Sequence, residues 1–327
     1  MKKTIISTAV AFAVFSTCVY AESGETSWTD KVEIGGVIEV EAQSVSPDGG
    51  DTESDIYVAT AELGIGAKIN DNVSSEIVLL YEGPDGELEV DAATITIEPS
   101  SMPVSFTIGK MGVPFGVYDT NLLSDPLTLE LGETAVDGGA QVAFESNGFN
   151  AAAFIFNGAS SDGDNSVNDY AMTAGYAMEG DFSFAIQLGY MNHLGNTDSL
   201  SEDYDVVQND VGAMTAAVSI NVAGLSVIGE YLAATEAFAD GELDHNGKGA
   251  EPKAWNAEIA YSFGKSTLAI GHQGTDEASA ILPESKNLIA YSVEIYDNTA
   301  FTLEYSSEED YAGAKTDIVT AQVAVEF

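Results

Sequence analysis

The chain has 327 residues, with 53 acidic and 10 basic side chains and a formal net charge of −43 at pH 7. Every basic residue is a lysine, so a nucleic-acid surface is excluded: almost no phosphate could be neutralised. A hydrophobic content of 45% excludes a disordered acidic chain, because such chains lack the apolar residues to form a core.

Residues 1–21, MKKTIISTAVAFAVFSTCVYA, place two lysines before an apolar run that ends in the small-residue pattern Val19, Ala21. This predicts a secretory signal peptide cleaved after Ala21. Lipidation at Cys18 is disfavoured by the polar Ser16 and Thr17 before it. Loss of Lys2 and Lys3 takes the charge from −43 to about −45, and loss of Cys18 leaves no cysteine for a disulfide framework. Beyond residue 21 no apolar run approaches the roughly 20 residues of a membrane helix, so any crossing must use strands.

A two-residue period begins at Val32. Val32, Ile34, Ile38 and Val40 alternate with Glu33, Glu39 and Glu41, giving one apolar and one polar face. The same alternation returns in Phe182–Tyr190 and in Ile289–Ile295. Turn signals such as INDN (69–72), ESNGFN (145–150), MEGDF (178–182) and YDNTA (296–300) separate these runs, and about 16 strands can be placed, each long enough for a tilted crossing. Short turns are interleaved with long polar segments, among them SVSPDGGDTESD, GASSDGDNSVN and GTDEASAILPESK. That asymmetry predicts a transmembrane antiparallel β-barrel over residues 22–327, with tight periplasmic turns and long external loops. Soluble sandwiches and solenoids also alternate. The terminal strand TDIVTAQVAVEF, ending on Phe327, favours the barrel because it resembles the assembly signal of outer-membrane barrels.

Residues 110–134 have no period. Strand parity makes this link external, yet Pro114, Phe115, Leu122, Leu123, Leu127, Leu129 and Leu131 make it too apolar for water. A loop of that content is expected to fold into the barrel and form a constriction from residues 112–137. Pro114 and Pro126 stop strand pairing there, and Asp119, Asp125, Glu130 and Glu133 add negative charge. The alternative places part of the segment at a strand end or a subunit interface.

If apolar faces meet lipid, the polar faces line the lumen. Parity puts Glu33, Glu39, Glu41, Glu62, Glu76, Glu89 and Asp91 there, followed by Glu145, Glu230, Glu258, Glu294 and Glu304. Rings of carboxylates favour cations, and with a Debye length of about 8 Å the wall is felt near the axis of a constriction. Lys68 is the best candidate for a lumen lysine. The loop acids, such as Asp48, Asp51, Asp162, Asp164 and Asp240, lack the full spacing of a calcium loop, so no metal and no cofactor is expected. Of three histidines, His193 and His245 fall in external loops; His272 with a nearby serine is the remaining catalytic candidate, and no enzyme is expected.

The stretches VEIGGVIEVEA, ELGIGAKINDNVSSEIVLLYE, LEVDAATITI and above all GKMGVPFGVYDTNLLSDPLTLELGETA resemble the LbtU-type siderophore porins of Gram-negative outer membranes, most closely over residues 31–145. The GK and PFG elements also resemble phosphate-selective porins. The resemblance implies an outer-membrane barrel, surrounded by lipid and lipopolysaccharide, that admits small solutes including iron chelates; porins of this kind are often homotrimers. The acidic lumen read from the residues suits neutral or cationic chelates only. A non-conducting structural or adhesive barrel is the alternative.

Overall fold

The computed structural model describes residues 31–84, 86–158, 167–203 and 210–327. The expected signal peptide, Asp162 and Asp164 lie outside them. The strands follow in chain order as β1 (Val32–Pro47), β2 (Glu53–Asn70), β3 (Val73–Glu82), β4 (Glu89–Ile97), β5 (Val104–Gly112) and β6 (Ala135–Ser146). Next come β7 (Phe149–Phe156), β8 (Asp169–Met178), β9 (Phe182–Met191), β10 (Ala213–Val222) and β11 (Leu225–Ala234). A two-residue pair, β12 (Asp244–His245) and β13 (Lys248–Gly249), forms a hairpin within a loop. The series ends with β14 (Lys253–Phe263), β15 (Ser266–Asp276), β16 (Ser285–Tyr296), β17 (Thr299–Glu309) and β18 (Lys315–Glu326).

All except β12 and β13 form one closed antiparallel barrel of sixteen strands, in which β11 pairs with β14 and β18 returns to β1. Closure satisfies every ladder: no strand edge is left for hydrocarbon, where an unpaired backbone group is costly. Beyond the last strand, Phe327 and Gly36 exchange both backbone hydrogen bonds, at 3.0 and 3.1 Å, so the terminal residue belongs to the seam.

The faces follow the sequence period, turned inside out relative to a soluble protein. On β14, Asn256 and Glu258 are buried inside, whereas Ile259, Tyr261 and Phe263 are about half exposed on the outside. Ile95, Ile186, Leu188, Ile270 and Leu303 continue the apolar outer surface. Connections 71–72, 147–148, 179–181, 223–224, 264–265 and 297–298 are tight, with 98–103 slightly longer. In the 147–148 turn, Asn147 at φ 51° and Gly148 at φ 83° supply the two left-handed residues of a type I′ hairpin. At the other end, the connections 113–134, 192–212 and 235–252 are long, and their described residues include short helices and the β12–β13 hairpin.

The apolar core is a product of these loops. Phe115, Leu127 and Leu131 of the 113–134 loop pack with Phe154, Phe156, Met191 and Leu232 of the wall. Leu194, Leu200, Val211, Phe238 and Leu243 of the other long loops complete the same cluster. The side of the barrel formed by β7–β11 is thereby filled at its long-loop end. Short helices, α1 (Leu127–Gly132) and α2 (Asp198–Asp203), were not legible as helices in the sequence.

The outer-face assignment makes a quantitative prediction. Ile95→Lys puts a charge toward hydrocarbon and should cost about 2–4 kcal/mol, whereas Thr94→Lys, pointing inward at the next position, should cost much less. Denaturant unfolding from bilayers measures both.

Candidate functional site

The segment 113–134 enters the barrel, as its apolar content requires, but its bounds are tighter than expected because β5 runs to Gly112 and β6 starts at Ala135. Folding a loop into the lumen leaves its backbone N–H groups without strand partners. Three glutamates on three strands of the wall, the neighbours β11 and β14 and the more distant β17, accept them. Glu230 on β11 takes Val117 N–H at 2.8 Å and Tyr118 N–H at 2.9 Å, together with the Thr128 hydroxyl at 3.2 Å. Glu258 on β14 takes Asn121 N–H at 2.8 Å, the Thr120 hydroxyl at 2.7 Å and the Asn121 side-chain amide. Glu304 on β17 takes Leu123 N–H at 2.7 Å, Ser124 N–H at 3.1 Å and the Ser124 hydroxyl.

Each of these bonds has a carboxylate acceptor, which makes it about twice as strong as a neutral one. The first N–H of α1, at Leu127, has no side-chain cap of its own and donates instead to Gln273 Oε1 on β15 at 3.1 Å. Close approach needs small wall residues. A Cβ at Gly189 would lie 2.0 Å from the Phe115 carbonyl oxygen, and one at Gly271 would lie 2.5 Å from a Leu122 methyl. The Thr215 hydroxyl donates to that same Phe115 carbonyl at 2.7 Å.

These contacts correct one expectation. Glu230 and Glu258 do point inward, but at 5% and 4% exposure they lie beneath the loop and hold it instead of facing an open lumen. Phe115, one of the residues whose apolar content was expected to bury the loop, lies in the apolar core at 0% exposure.

The free edge carries carboxylates. Asp125 lies near Glu130, Glu133 and Lys286; Glu130 lies near Lys286 and Glu308; Glu133 lies near Asp198, Glu82 and Asp91. Asp125 also lies near Glu82, so two of the loop acids, Asp125 and Glu133, approach the acids of β3 and β4. Glu62, Glu76 and Asp91 on that wall are half-buried, while Glu82 and Glu89 are exposed. Burial pushes the Asp125 carboxyl up to about 8, with neighbouring carboxylates raising it further and Lys286 opposing, and pushes Glu133 up to about 7.

The remaining expected residues are spread along the wall. Glu39 is almost fully buried on β1, and Glu41 is clamped by the Tyr57 hydroxyl and the Gln322 amide, both at 2.9 Å. Glu33 and Glu145 are exposed near the tight-turn end, and Glu294 there is ion-paired with Lys265 at 3.1 Å. Pro114 is half-buried at the loop entrance, and Asp119 is exposed to the lumen.

Sequence parity could have found Glu82, which shares a face with Glu76, but the strand end at GPDG hid it. Lys286 was hidden differently. The segment GTDEASAILPESK reads as loop to its last residue, yet β16 starts at Ser285, so Lys286 points inward and pairs with Glu308 at 3.2 Å. It replaces Lys68, which is largely exposed at the tight-turn end beside Asp71. His272 is on the outer face, against the Trp255 ring and within 2.9 Å of Asn287 Oδ1, away from any lumen nucleophile. Among the described residues no group of three or more His, Cys, Asp or Glu could hold a metal ion.

With this geometry the comparisons with known proteins agree. The model of the family described as phosphate-selective porin O and P matches residues 32–270. The chain belongs to that family. As a family member it is an outer-membrane β-barrel of the Gram-negative envelope with a porin-type channel fold. A UPF0422 protein of Legionella pneumophila (strain Paris) is 24% identical over 84% of this chain; the chain covers 62% of that relative, so it spans about three fifths of its length. The high-pH structure of Pseudomonas putida OprB superposes with a TM-score of 0.66 at 8% identity, covering 91% of this chain and 94% of that one. Vibrio cholerae OmpT, in a trimer form, gives 0.58 at 13% identity, covering 90% and 99%. At those identities the solved structures share the fold with this porin.

The anchoring of the loop can be broken at one residue. Glu258→Ala leaves Thr120 and the Asn121 N–H groups without their acceptor and should weaken docking of this porin's loop by roughly 3 kcal/mol. Single-channel recording should then show larger, noisier conductance, and Glu258→Gln should show an intermediate effect.

Proposed function

We propose that this porin is a passive channel that prefers small cations. One observation carries the reading: Asp125 and Glu133 on the loop lie near Glu82 on the wall, and Glu133 lies near Asp91 as well. The buried lysine beside them, Lys286, is already paired with Glu308. A permeating anion would pass two acidic surfaces within about one Debye length, which repels it; a cation is concentrated there. The name of the family points to phosphate, but phosphate pores need unpaired Lys or Arg along the path. Siderophore uptake, implied by the sequence resemblance, fits this lumen for neutral or cationic chelates. Assembly as a homotrimer belongs to the same reading, supported by the trimer form of OmpT. The apolar cluster that fills the long-loop end of the β7–β11 side favours the second reading, a non-conducting structural barrel.

The zero-current potential in a planar bilayer under a tenfold KCl gradient separates these. A K⁺-selective potential supports the channel; a Cl⁻-selective one refutes the cation preference, and absence of conductance favours the structural barrel. Replacing Glu82, Asp91 and Glu133 together by their amides should bring the potential markedly toward zero. Selectivity should also depend on pH. Asp125 and Glu133 are protonated below their raised pKa values, so the K⁺ preference should increase as pH rises from about 6 to 8.5 and fall on acidification. Docking has the opposite pH dependence: the neutral carboxyls tolerate burial, so the loop is held more weakly as pH rises through those values.

A further inference from the structure

The geometry points to a binding recess for short alkylammonium cations, on the tight-turn side of the inward loop. This inference rests on the cation-preferring channel proposed above and specifies one class of cation for it. A cavity of about 160 Å³ opens between the loop and the inner faces of β7–β11, on the opposite side of the lumen from Glu82 and Asp91. Its chemistry is divided. Ala185, Ala217 and Ile228 give it an apolar wall, while Asp119 and Glu230 place two carboxyl groups at its loop side.

Glu230 is occupied by the N–H groups of Val117 and Tyr118, so its position is fixed and its charge stays in the wall. Asp119, next along the chain from Tyr118, is exposed to the lumen and available to a ligand. Tyr118 sits at φ 59°, a left-handed conformation that ordinary residues adopt at a cost, and this bend separates the anchored N–H groups from the Asp119 side chain. Opposite them, Asn150 and Gln187 line the cavity, with their side-chain oxygens over Gly175: an added Cβ there would lie 3.0 Å from Asn150 Oδ1 and 2.7 Å from Gln187 Oε1. The absence of a side chain at position 175 is what lets both carboxamides turn into the space.

A ligand for this recess must carry a hydrogen-bond-donating positive group for Asp119 and the carboxamides, and a short apolar tail for the alanines and Ile228. Anions are opposed by both carboxylates. Bare alkali ions gain nothing from the apolar wall. Cavities of about 150 Å³ hold a molecule of six heavy atoms, so a chain of four carbons and an ammonium fits the volume.

The probe is n-butylammonium chloride, added to each side in turn of a planar bilayer holding the full-length porin in KCl, after the zero-current potential has been recorded. The expected result is concentration-dependent reduction of the K⁺ current, strongest from the tight-turn side. Asp119→Asn should raise the half-blocking concentration by about tenfold or more, because a charge-assisted hydrogen bond is lost. Ala217→Phe, which fills the apolar part and keeps the carboxylate, should do the same. A K⁺-selective potential with no block, or with block that neither variant changes, overturns the recess and leaves the channel reading intact. A potential that is not K⁺-selective overturns the channel reading itself and the recess with it.

Discussion

In hydrocarbon no water is available to the peptide group, and every N–H and C=O of this chain that lies at membrane depth must find a partner within the protein. Closure of the sheet is the first consequence: β18 pairs with β1, and the terminal Phe327 is stitched to Gly36. The second is less obvious. A loop that enters the lumen carries its own unpaired N–H groups into a space with few acceptors, so the wall must supply them. Glu230, Glu258 and Glu304 do this from β11, β14 and β17, each accepting two or more donors, and Gln273 meets the start of α1.

That arrangement divides the acidic residues of the barrel into two populations. The anchoring glutamates are covered by the loop, and the N–H dipoles aimed at them offset part of their field. The carboxylates of β2–β4 and of the loop are not bound to that loop's N–H groups, and in the proposed channel theirs is the field a solute would meet. Because Asp125 and Glu133 are pressed toward like charges as well as buried, their ionisation lies near neutral pH, within the range in which an outer membrane is exposed to its surroundings. With 53 acidic and only 10 basic residues in the whole chain, most acids cannot have a lysine partner. Lys286 is paired with Glu308, and Lys110 lies near Asp91.

Filling one side of the lumen is the third consequence. The leucines and Phe115 that drive the loop out of water need an apolar surface to pack on, and Phe154, Phe156, Met191 and Leu232 provide it from the inner wall. These inward aromatics break the simple rule that a lumen face is polar. They mark where the lumen is packed like a core, and the acidic face marks where it is not.

Much of this was legible from the chain alone. A period of two residues fixes which side chains share a face, so the barrel class, the strand number and the inward direction of Glu62, Glu76, Asp91, Glu230 and Glu258 follow from local sequence, as does the need to bury residues 113–134. Three-dimensional closure decided the rest. Whether an inward glutamate sees solute or grips a loop depends on which strand stands opposite that loop in the closed ring. Residues 117–124 reach across the lumen to β11, β14 and β17, a relation no local pattern encodes. Strand ends moved Glu82 and Lys286 onto the inner face for the same reason: their last rungs are set by the neighbouring strand's register, and not by the residues themselves. The sequence by itself therefore determined the faces and the inventory of charge, while the tertiary structure decided which charges are spent on backbone N–H groups and which remain to act on a solute.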